Sequence, residues 1–160
     1  MKIRLTDGNR APAEAIRAIE SGLDYLLSSS FKEFLGSQDG AKPDPNIFKI
    51  GLKNESGINR FIPISNLINE RAYIENIPSK AYPVAWAEGG NYVFIDEDRN
   101  GAVFFWDHEQ PEVTVELAET FSEFLNLLEP FDIHSVKLKP GQVKRIKVNP
   151  DLLKKFKSEQ

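Results

Sequence analysis

The sequence of 160 residues predicts a single α+β domain with N-terminal helices, a largely antiparallel central sheet and a closing helix. Two amphipathic segments come first, within residues 12–36, and short apolar segments separated by turn residues fill the middle of the chain. A further amphipathic segment follows at residues 121–128. Because helical and strand patterns are segregated along the chain and do not alternate, we expect an α+β domain and no parallel βαβ units.

The N-terminal part predicts two helices. Ile16, Ile19 and Leu23 lie at helical spacing after Pro12, which suits a first helical turn, so we expect a helix over residues 12–27. Ser30-Phe31-Lys32-Glu33 has the form of a capping box and predicts that a second helix starts there.

The next part predicts connections and short strands. Residues 39–45 are rich in Gly, Pro and Asp and predict a loop. The turn-rich residues 53–57 are expected to separate a strand at 46–52 from another at 61–62. A helical turn is expected over residues 63–70.

The middle of the chain predicts an antiparallel meander. Residues 84–87, 92–95 and 102–106 have strand character, and only short connections rich in Gly, Asn and Asp separate them. The last of these segments, Ala-Val-Phe-Phe-Trp, is apolar at every position, so we expect a strand that is covered on both faces. Residues 113–117 alternate and predict a half-exposed fourth strand.

The C-terminal part predicts a closing helix and an extension. Thr120-Phe121-Ser122-Glu123 has the form of a capping box, and apolar residues at helical spacing follow it. Residues 136–138 and 143–148 predict a hairpin, and residues 149–151 predict the cap of a terminal helix.

Charge is distributed unevenly, although the net charge is only −4. Residues 96–132 carry eleven acidic side chains against Arg99, whereas residues 137–157 carry eight basic side chains against Asp151. Such a separation can steer a charged partner towards the protein. Two alternatives remain: the basic segment folds back onto the acidic one and neutralises it, or the acidic face is simply solvated. The basic segment has few interleaved aromatic residues, so we do not expect nucleic-acid binding.

Composition excludes several classes of protein. The absence of cysteine excludes disulfides, thiolate metal sites, iron–sulfur clusters and a cysteine nucleophile. The longest apolar run, residues 102–106, is too short to span a membrane, and the first residues lack a secretory signal, so we expect a cytoplasmic protein without membrane contact.

Catalysis and metal binding are not expected either. The only histidines are His108 and His134, and adjacent side chains in Asp107-His108-Glu109 point to opposite faces if the segment is a strand. No Gly-x-Ser-x-Gly motif is present. We therefore expect no enzyme, no metal and no cofactor, with a small hydrolase or metal protein built around His108 as the alternative.

Three blocks of this sequence resemble the SUKH superfamily, which includes a fungal regulator of cell-wall glucan synthesis and many bacterial immunity proteins. The first lies at residues 19–40 and the third at residues 121–128. The second, at residues 82–109, is the most specific, because it combines a glycine turn, a strand that ends in Asp96, a Gly-x-Val step and Asp107-His108-Glu109. The resemblance ends near Pro130. We therefore expect a SUKH-like domain over residues 1–130 and a basic extension over residues 131–160.

The resemblance implies recognition of a protein partner without catalysis. In bacteria it implies an immunity protein that neutralises a cognate toxin, and the alternative is a regulatory or scaffold protein of the fungal type that binds an endogenous partner. An acidic surface suits a basic partner such as a nuclease, which must hold phosphate.

We predict that the partner-binding residues lie at the two ends of the strand over residues 102–106, which spans roughly 17 Å at about 3.4 Å per residue. They are Asp96, Glu97, Asp98, Asp107, His108, Glu109 and Glu112.

Overall fold

A computed structural model describes residues 2–135 and 140–141, and its elements confirm the predicted α+β class. The strands in these ranges are β1 (Arg4–Thr6), β2 (Lys42–Asp44), β3 (Ile47–Ile50), β4 (Asn54–Phe61), β5 (Ala81–Ala87), β6 (Asn91–Asp96), β7 (Ala102–Trp106) and β8 (Thr114–Ala118). The α-helices are α1 (Ala13–Leu23), α2 (Ser29–Gln38), α3 (Leu67–Arg71) and α4 (Phe121–Asn126). Short 3-10 turns occupy Ile64–Asn66, Glu88–Gly90, Glu97–Arg99 and Ile133–Ser135.

Strands β3 to β8 form one antiparallel six-stranded sheet in chain order. Register shifts interrupt the pairing of β4 with β5, of β5 with β6 and of β7 with β8. Irregularities of this kind bend a strand and increase its twist. The sheet curls so far that β3, at one edge, contacts β8, at the other.

The concave face of the curled sheet holds the larger core. Phe48 of β3 lies with its ring centroid 5.8 Å from that of Phe105 on β7 and 5.6 Å from that of Phe124 on α4. Phe121 of α4 packs edge-on against Phe31 of α2 at 5.1 Å. Each buried aromatic side chain stabilises the fold by roughly 1.5–3 kcal/mol, so these contacts hold α2 and α4 on the concave face.

The convex face carries a second, smaller core. Phe104 and Trp106 of β7 pack there with Ile62 and Ile74, whereas Val103 and Phe105 belong to the concave core. All five residues of β7 are buried. The prediction that this strand is covered on both faces is therefore confirmed.

The closing helix begins as predicted. The Oγ1 atom of Thr120 accepts a hydrogen bond from the backbone N–H of Glu123 at 3.1 Å. The Glu123 carboxylate reaches back to the N–H of Glu119 at 3.2 Å, one residue further than in a capping box. One backbone donor of the first turn and the donor that precedes the N-cap residue are thus satisfied.

The two N-terminal helices differ from the prediction. Helix α1 ends at Leu23, because Asp24 adopts a left-handed conformation with φ 64°. Helix α2 begins at Ser29, and its N-cap residue, Ser28, makes no cap with its own side chain. The predicted capping box at Ser30 is therefore wrong, since a carboxylate from a distant turn takes its place, as described below.

Two predicted connections are strands. Residues 42–44 pair with β1, with Leu5 opposite Pro43, although their composition is typical of a loop. Residues 54–57 belong to β4 and pair with β3, so that the turn between β3 and β4 is shorter than predicted. In both places, pairing with a neighbouring strand outweighs the preference of the local sequence for a loop or turn.

Both strands of the predicted hairpin, at residues 136–138 and 143–148, and the predicted helix cap at residues 149–151 lie outside the described residues. The basic side chains of residues 137–157, which were predicted as one alternative to contact the acidic segment, also lie outside the described residues. Within the described ranges, no helix combines the length and apolar character that crossing a membrane requires.

Candidate functional site

The order of the strands brings three connections to one end of the sheet. These are the β3–β4 turn, the β5–β6 turn at Glu88–Gly90, and the β7–β8 connection over residues 107–113. We call this the mouth end. The opposite end carries the β6–β7 turn at Glu97–Arg99, and we call it the far end. The predicted partner-binding residues are therefore divided, with residues 96–98 at the far end and residues 107–112 at the mouth end.

At the far end, Asp96 is turned inwards and Asp98 outwards. Asp96 is only 4% exposed, and its Oδ1 atom accepts a hydrogen bond from the backbone N–H of Asp98 at 3.1 Å. The exposed Asp98 carboxylate lies 3.5 Å from the ammonium of Lys80. Asp96 therefore closes the turn, and the charge of Asp98 is partly compensated.

Glu97 joins three elements of the fold. Its Oε1 atom accepts hydrogen bonds from the backbone N–H of Ser28 at 2.7 Å, from the Ser28 hydroxyl at 2.7 Å and from the Tyr82 hydroxyl at 2.6 Å. The carboxylate thus caps helix α2 and fixes it to β5. Burial, and next the hydrogen bond to Glu97, raise the pKa of the fully buried Tyr82 above its ordinary value. These three hydrogen bonds occupy the Glu97 Oε1 atom within the fold.

At the mouth end, two turns are held together through Asn91. Its Oδ1 atom accepts a hydrogen bond from the backbone N–H of His108 at 3.1 Å and lies 2.8 Å from the ring Nδ1 of the same residue. The Asp107 Oδ1 atom accepts a hydrogen bond from the N–H of Glu109 at 2.9 Å, which shapes the β7–β8 connection. The β5–β6 turn and this connection are therefore fixed relative to each other.

A cleft of about 670 Å³ opens between the three connections of the mouth end, and we call it the mouth cleft. Its lining comes from both edges of the curled sheet and from the turns. The lining residues are Ile50, Lys53, Asn54, Glu55, Ser56, Glu88, Gly89, Asn91, Phe105, Asp107, Gln110, Val113 and Val115. The cleft lies within the size range of ligand-binding sites.

The charges around the mouth cleft are mostly negative. Glu55, Glu88 and Asp107 line it, against Lys53. Of these carboxylates, Glu55 is neutralised by Lys49, whose ammonium lies 2.7 Å from it and 3.0 Å from Glu129. The hydrogen bonds to these two carboxylates raise the pKa of Lys49 above its ordinary value.

The remaining acidic residues of the mouth end have little compensation. In the part of the chain that the structure describes, no ion pair involves Glu88, Glu109 or Glu112, and all three are exposed. Among the residues that the structure describes, the only cationic neighbour of Asp107 is the His108 ring, at 3.9 Å, which is charged only when it is protonated. The mouth end is therefore the more strongly negative of the two acidic groups.

Apolar side chains accompany these charges. Val113 lines the cleft and is 48% exposed, and Leu52, next to Lys53 in the β3–β4 turn, is fully exposed. Exposed apolar groups beside a charged rim are typical of surfaces that bind another protein.

A metal site or a hydrolase built around His108 is the alternative that the sequence leaves open. Within residues 2–135 and 140–141, no group of three or more His, Asp and Glu side chains could hold a metal ion. The Nδ1 atom of His108 faces Asn91, and no serine hydroxyl among those residues bonds to the ring. The described residues thus offer no triad around His108.

Residue patterns alone missed three contributors to the mouth cleft. Glu88 stands in a glycine turn, and Ser56 and Val113 lie on strand segments or connections far from it in sequence. One signal was available: in a meander, the turn after β5 lies at the same end as the residues that follow β7. The position of Glu88 beside Asp107 could therefore have been predicted from the sequence. The position of Ser56 could not, because it depends on the path of strand β4 through the sheet.

The model of the SMI1 / KNR4 family (SUKH-1) matches residues 10–127, from just before α1 through α4. The chain belongs to this family. The predicted resemblance to the SUKH superfamily is confirmed, and it covers the whole six-stranded sheet. A search of the curated proteins finds no match. The SUKH-1 family consists generally of non-catalytic immunity or regulatory proteins, so membership supports a protein-binding role of one of these two kinds.

Proposed function

We propose that this SUKH-1 protein is a non-catalytic immunity protein of the cytoplasm that neutralises a cognate toxin by direct binding. The observation that carries the proposal is the mouth end, where Glu88 and Asp107 line the cleft without full compensation of their charge. Glu109 and Glu112 are exposed in the same connection as Asp107. Membership of the family supports a protein-binding role, and the negative charge of the mouth end favours a basic partner.

The partner is a basic protein, such as a nuclease toxin. Nucleases carry positive charge where they hold phosphate, and a negative surface accelerates the approach of such a protein. Complementary charges act mainly on the association rate and on the choice of partner. Immunity proteins must act before a toxin reaches its substrate, so rapid capture is the property that this surface supplies.

Affinity comes from apolar contacts within the same surface. Val113 and Leu52 are exposed beside the acidic residues, and a few apolar anchors supply most of the energy of a protein interface. We assign partner binding to the domain over residues 1–130 and treat residues 131–160 as an extension of it. Of the predicted binding residues, we retain Asp107, His108, Glu109 and Glu112. Asp96 and Glu97 are occupied within the fold, and the charge of Asp98 is partly compensated by Lys80.

Co-expression with the product of the adjacent gene tests this function. We expect the chain to prevent growth arrest by that product and to copurify with it, and the chain with both Glu109→Lys and Glu112→Lys to protect less well. Protection without copurification would contradict direct binding. A stable complex with a non-toxic endogenous protein, together with no effect on the neighbouring product, would favour the alternative of a regulatory protein.

A further inference from the structure

We infer that His108 is a pH-dependent hydrogen-bond acceptor for the partner, which its uncharged ring binds through the Nε2 atom. This role rests on the proposed function and adds two properties to it. One is the protonation state in which the mouth end captures a basic protein, and the other is the ring atom that contacts this protein.

The first observation identifies the Asn91 atom that faces the ring. It lies 3.1 Å from the backbone nitrogen of His108 and 2.8 Å from the ring Nδ1 atom of the same residue. A backbone N–H group can only donate a hydrogen bond, so the Asn91 atom that accepts it is the carbonyl oxygen and not the amide nitrogen.

This oxygen in turn decides the tautomer of His108. A carbonyl oxygen has no proton to donate, so its hydrogen bond with the ring requires a proton on Nδ1. The uncharged ring therefore carries its proton on Nδ1 and its lone pair on Nε2. Within the described ranges, Nε2 makes no hydrogen bond, and the side chain is 49% exposed. The lone pair is thus available to a donor from another protein.

The second observation is the charge around the ring. Protonation leaves the hydrogen bond from Nδ1 to Asn91 in place and converts Nε2 from an acceptor into a donor. Among the described charged groups, Asp107 approaches the ring, with its Oδ1 atom 3.9 Å from Nδ1. The β5–β6 turn and the start of β6 contribute Gly90 and Asn91, which are uncharged. The Glu88 carboxylate of that turn lies beside Gly57 instead.

Both consequences of protonation weaken binding of a basic partner. The donor of the partner loses its acceptor, and the new positive charge compensates Asp107 and repels the partner. Histidine side chains change their charge between about pH 5 and 8. We therefore expect binding to be strongest while the ring is uncharged and to weaken as the pH falls through this range.

The first part of the experiment measures the tautomer without a partner. Proton–nitrogen correlation NMR of the full chain with isotope-labelled histidine, at about pH 8, distinguishes a protonated ring nitrogen from one with a lone pair. We expect the proton of His108 on Nδ1. Asn91→Asp keeps an oxygen at this place and is expected to keep the tautomer, whereas Asn91→Ala is expected to abolish its predominance.

The second part measures binding to the purified product of the adjacent gene at about pH 8 and about pH 5.5. We expect the unmodified chain to bind on the order of tenfold more weakly at the lower pH, through loss of one hydrogen bond and gain of one charge. His108→Gln stays uncharged and offers a carbonyl oxygen near the position of Nε2, so it is expected to remove most of this difference. His108→Lys carries a permanent charge and is expected to bind weakly at both pH values.

His134→Gln is the matched control, because it removes the other histidine of the chain. It is expected to keep the pH dependence of the unmodified chain. Titrating groups of the partner affect every variant equally, so the comparison isolates His108.

Two results would overturn the inference. A proton on Nε2 of the uncharged His108 ring would do so without reference to any partner. Equal pH dependence of the unmodified chain and His108→Gln would show that His108 is not the acceptor. Absence of a complex at both pH values would instead contradict the proposed function, and with it the binding role of His108, and the co-expression test detects this separately.

Discussion

Replacement of Glu97 by alanine is expected to destabilise the fold strongly, whereas replacement of the adjacent Asp98 is not. One oxygen of Glu97 accepts three hydrogen bonds, two from Ser28 and one from Tyr82. Alanine at this position leaves the hydroxyl of a fully buried tyrosine without its acceptor, and it leaves the backbone N–H of Ser28, at the start of α2, with only its 3.0 Å hydrogen bond to that same hydroxyl. Within the described ranges, the Asp98 carboxylate makes only surface contacts, with Lys80 and Ser79.

The size of the effect follows from these contacts. A hydrogen bond to a charged group contributes about 1.5–3 kcal/mol, but the three bonds share one oxygen and are not additive. We therefore expect Glu97→Ala to lower the free energy of unfolding by about 2–4 kcal/mol, which for a chain of this length lowers Tm by roughly 5–15 °C. Glu97→Gln retains an acceptor and is expected to cost about half as much. Asp98→Ala breaks a surface ion pair and is expected to cost about 0–1 kcal/mol.

Thermal and urea unfolding followed by circular dichroism measure these differences. The variants share one turn and the Ala variants lose the same charge, so Asp98→Ala serves as the control for long-range electrostatics. Equal stability of Glu97→Ala and Asp98→Ala would refute the role of Glu97 as the cap that joins α2 to the sheet.

Three further predictions concern the core, a helix cap and pH. Phe121→Ala is expected to lower the free energy of unfolding by about 3–5 kcal/mol in urea titrations, because its ring packs among other buried aromatics, and a loss below about 1 kcal/mol would contradict this. Thr120→Ala is expected to cost about 1 kcal/mol through loss of the cap of α4, and Thr120→Ser little, in the same assay. Burial raises the pKa values of Tyr82 and Tyr92 in the folded state, so their contribution to stability is complete below pH 10 and declines as the pH rises above it. Tyrosinate absorbance that appears before unfolding in a chain with Tyr25→Phe and Tyr73→Phe, which keeps only Tyr82 and Tyr92, would contradict this last prediction.

The fold was predictable where local patterns decide it. The fully apolar residues of β7 indicated a strand covered on both faces, and the pattern around Thr120 located the start of α4. Pairing between distant segments was not predictable. Strand β2 has the composition of a loop and becomes a strand because it meets β1, about forty residues earlier, where Arg4 pairs with Asp44.

The site was predictable in composition but not in the role of each side chain. The acidic residues on either side of β7 are evident in the sequence, and the structure places them at opposite ends of the strand. The role of Glu97 depends on Ser28, which is 69 residues away, and no local pattern contains that contact. Ser56 enters the cleft only through the curl of the sheet, which arises from register shifts that the sequence does not display.

Reversal of charge at the mouth end examines whether this surface captures the partner. The association rate constant for the partner identified by co-expression is measured at low and moderate salt for two double variants. Glu109→Lys with Glu112→Lys alters the mouth end, and Glu14→Lys with Glu33→Lys changes the net charge equally on α1 and α2. At low salt, we expect the first variant to associate on the order of tenfold more slowly than the unmodified chain, and the second to associate at nearly the unmodified rate. The difference between the two rate constants is expected to decrease at moderate salt, because salt screens the charges. Equal rates for the two variants at low salt would contradict capture through the mouth end.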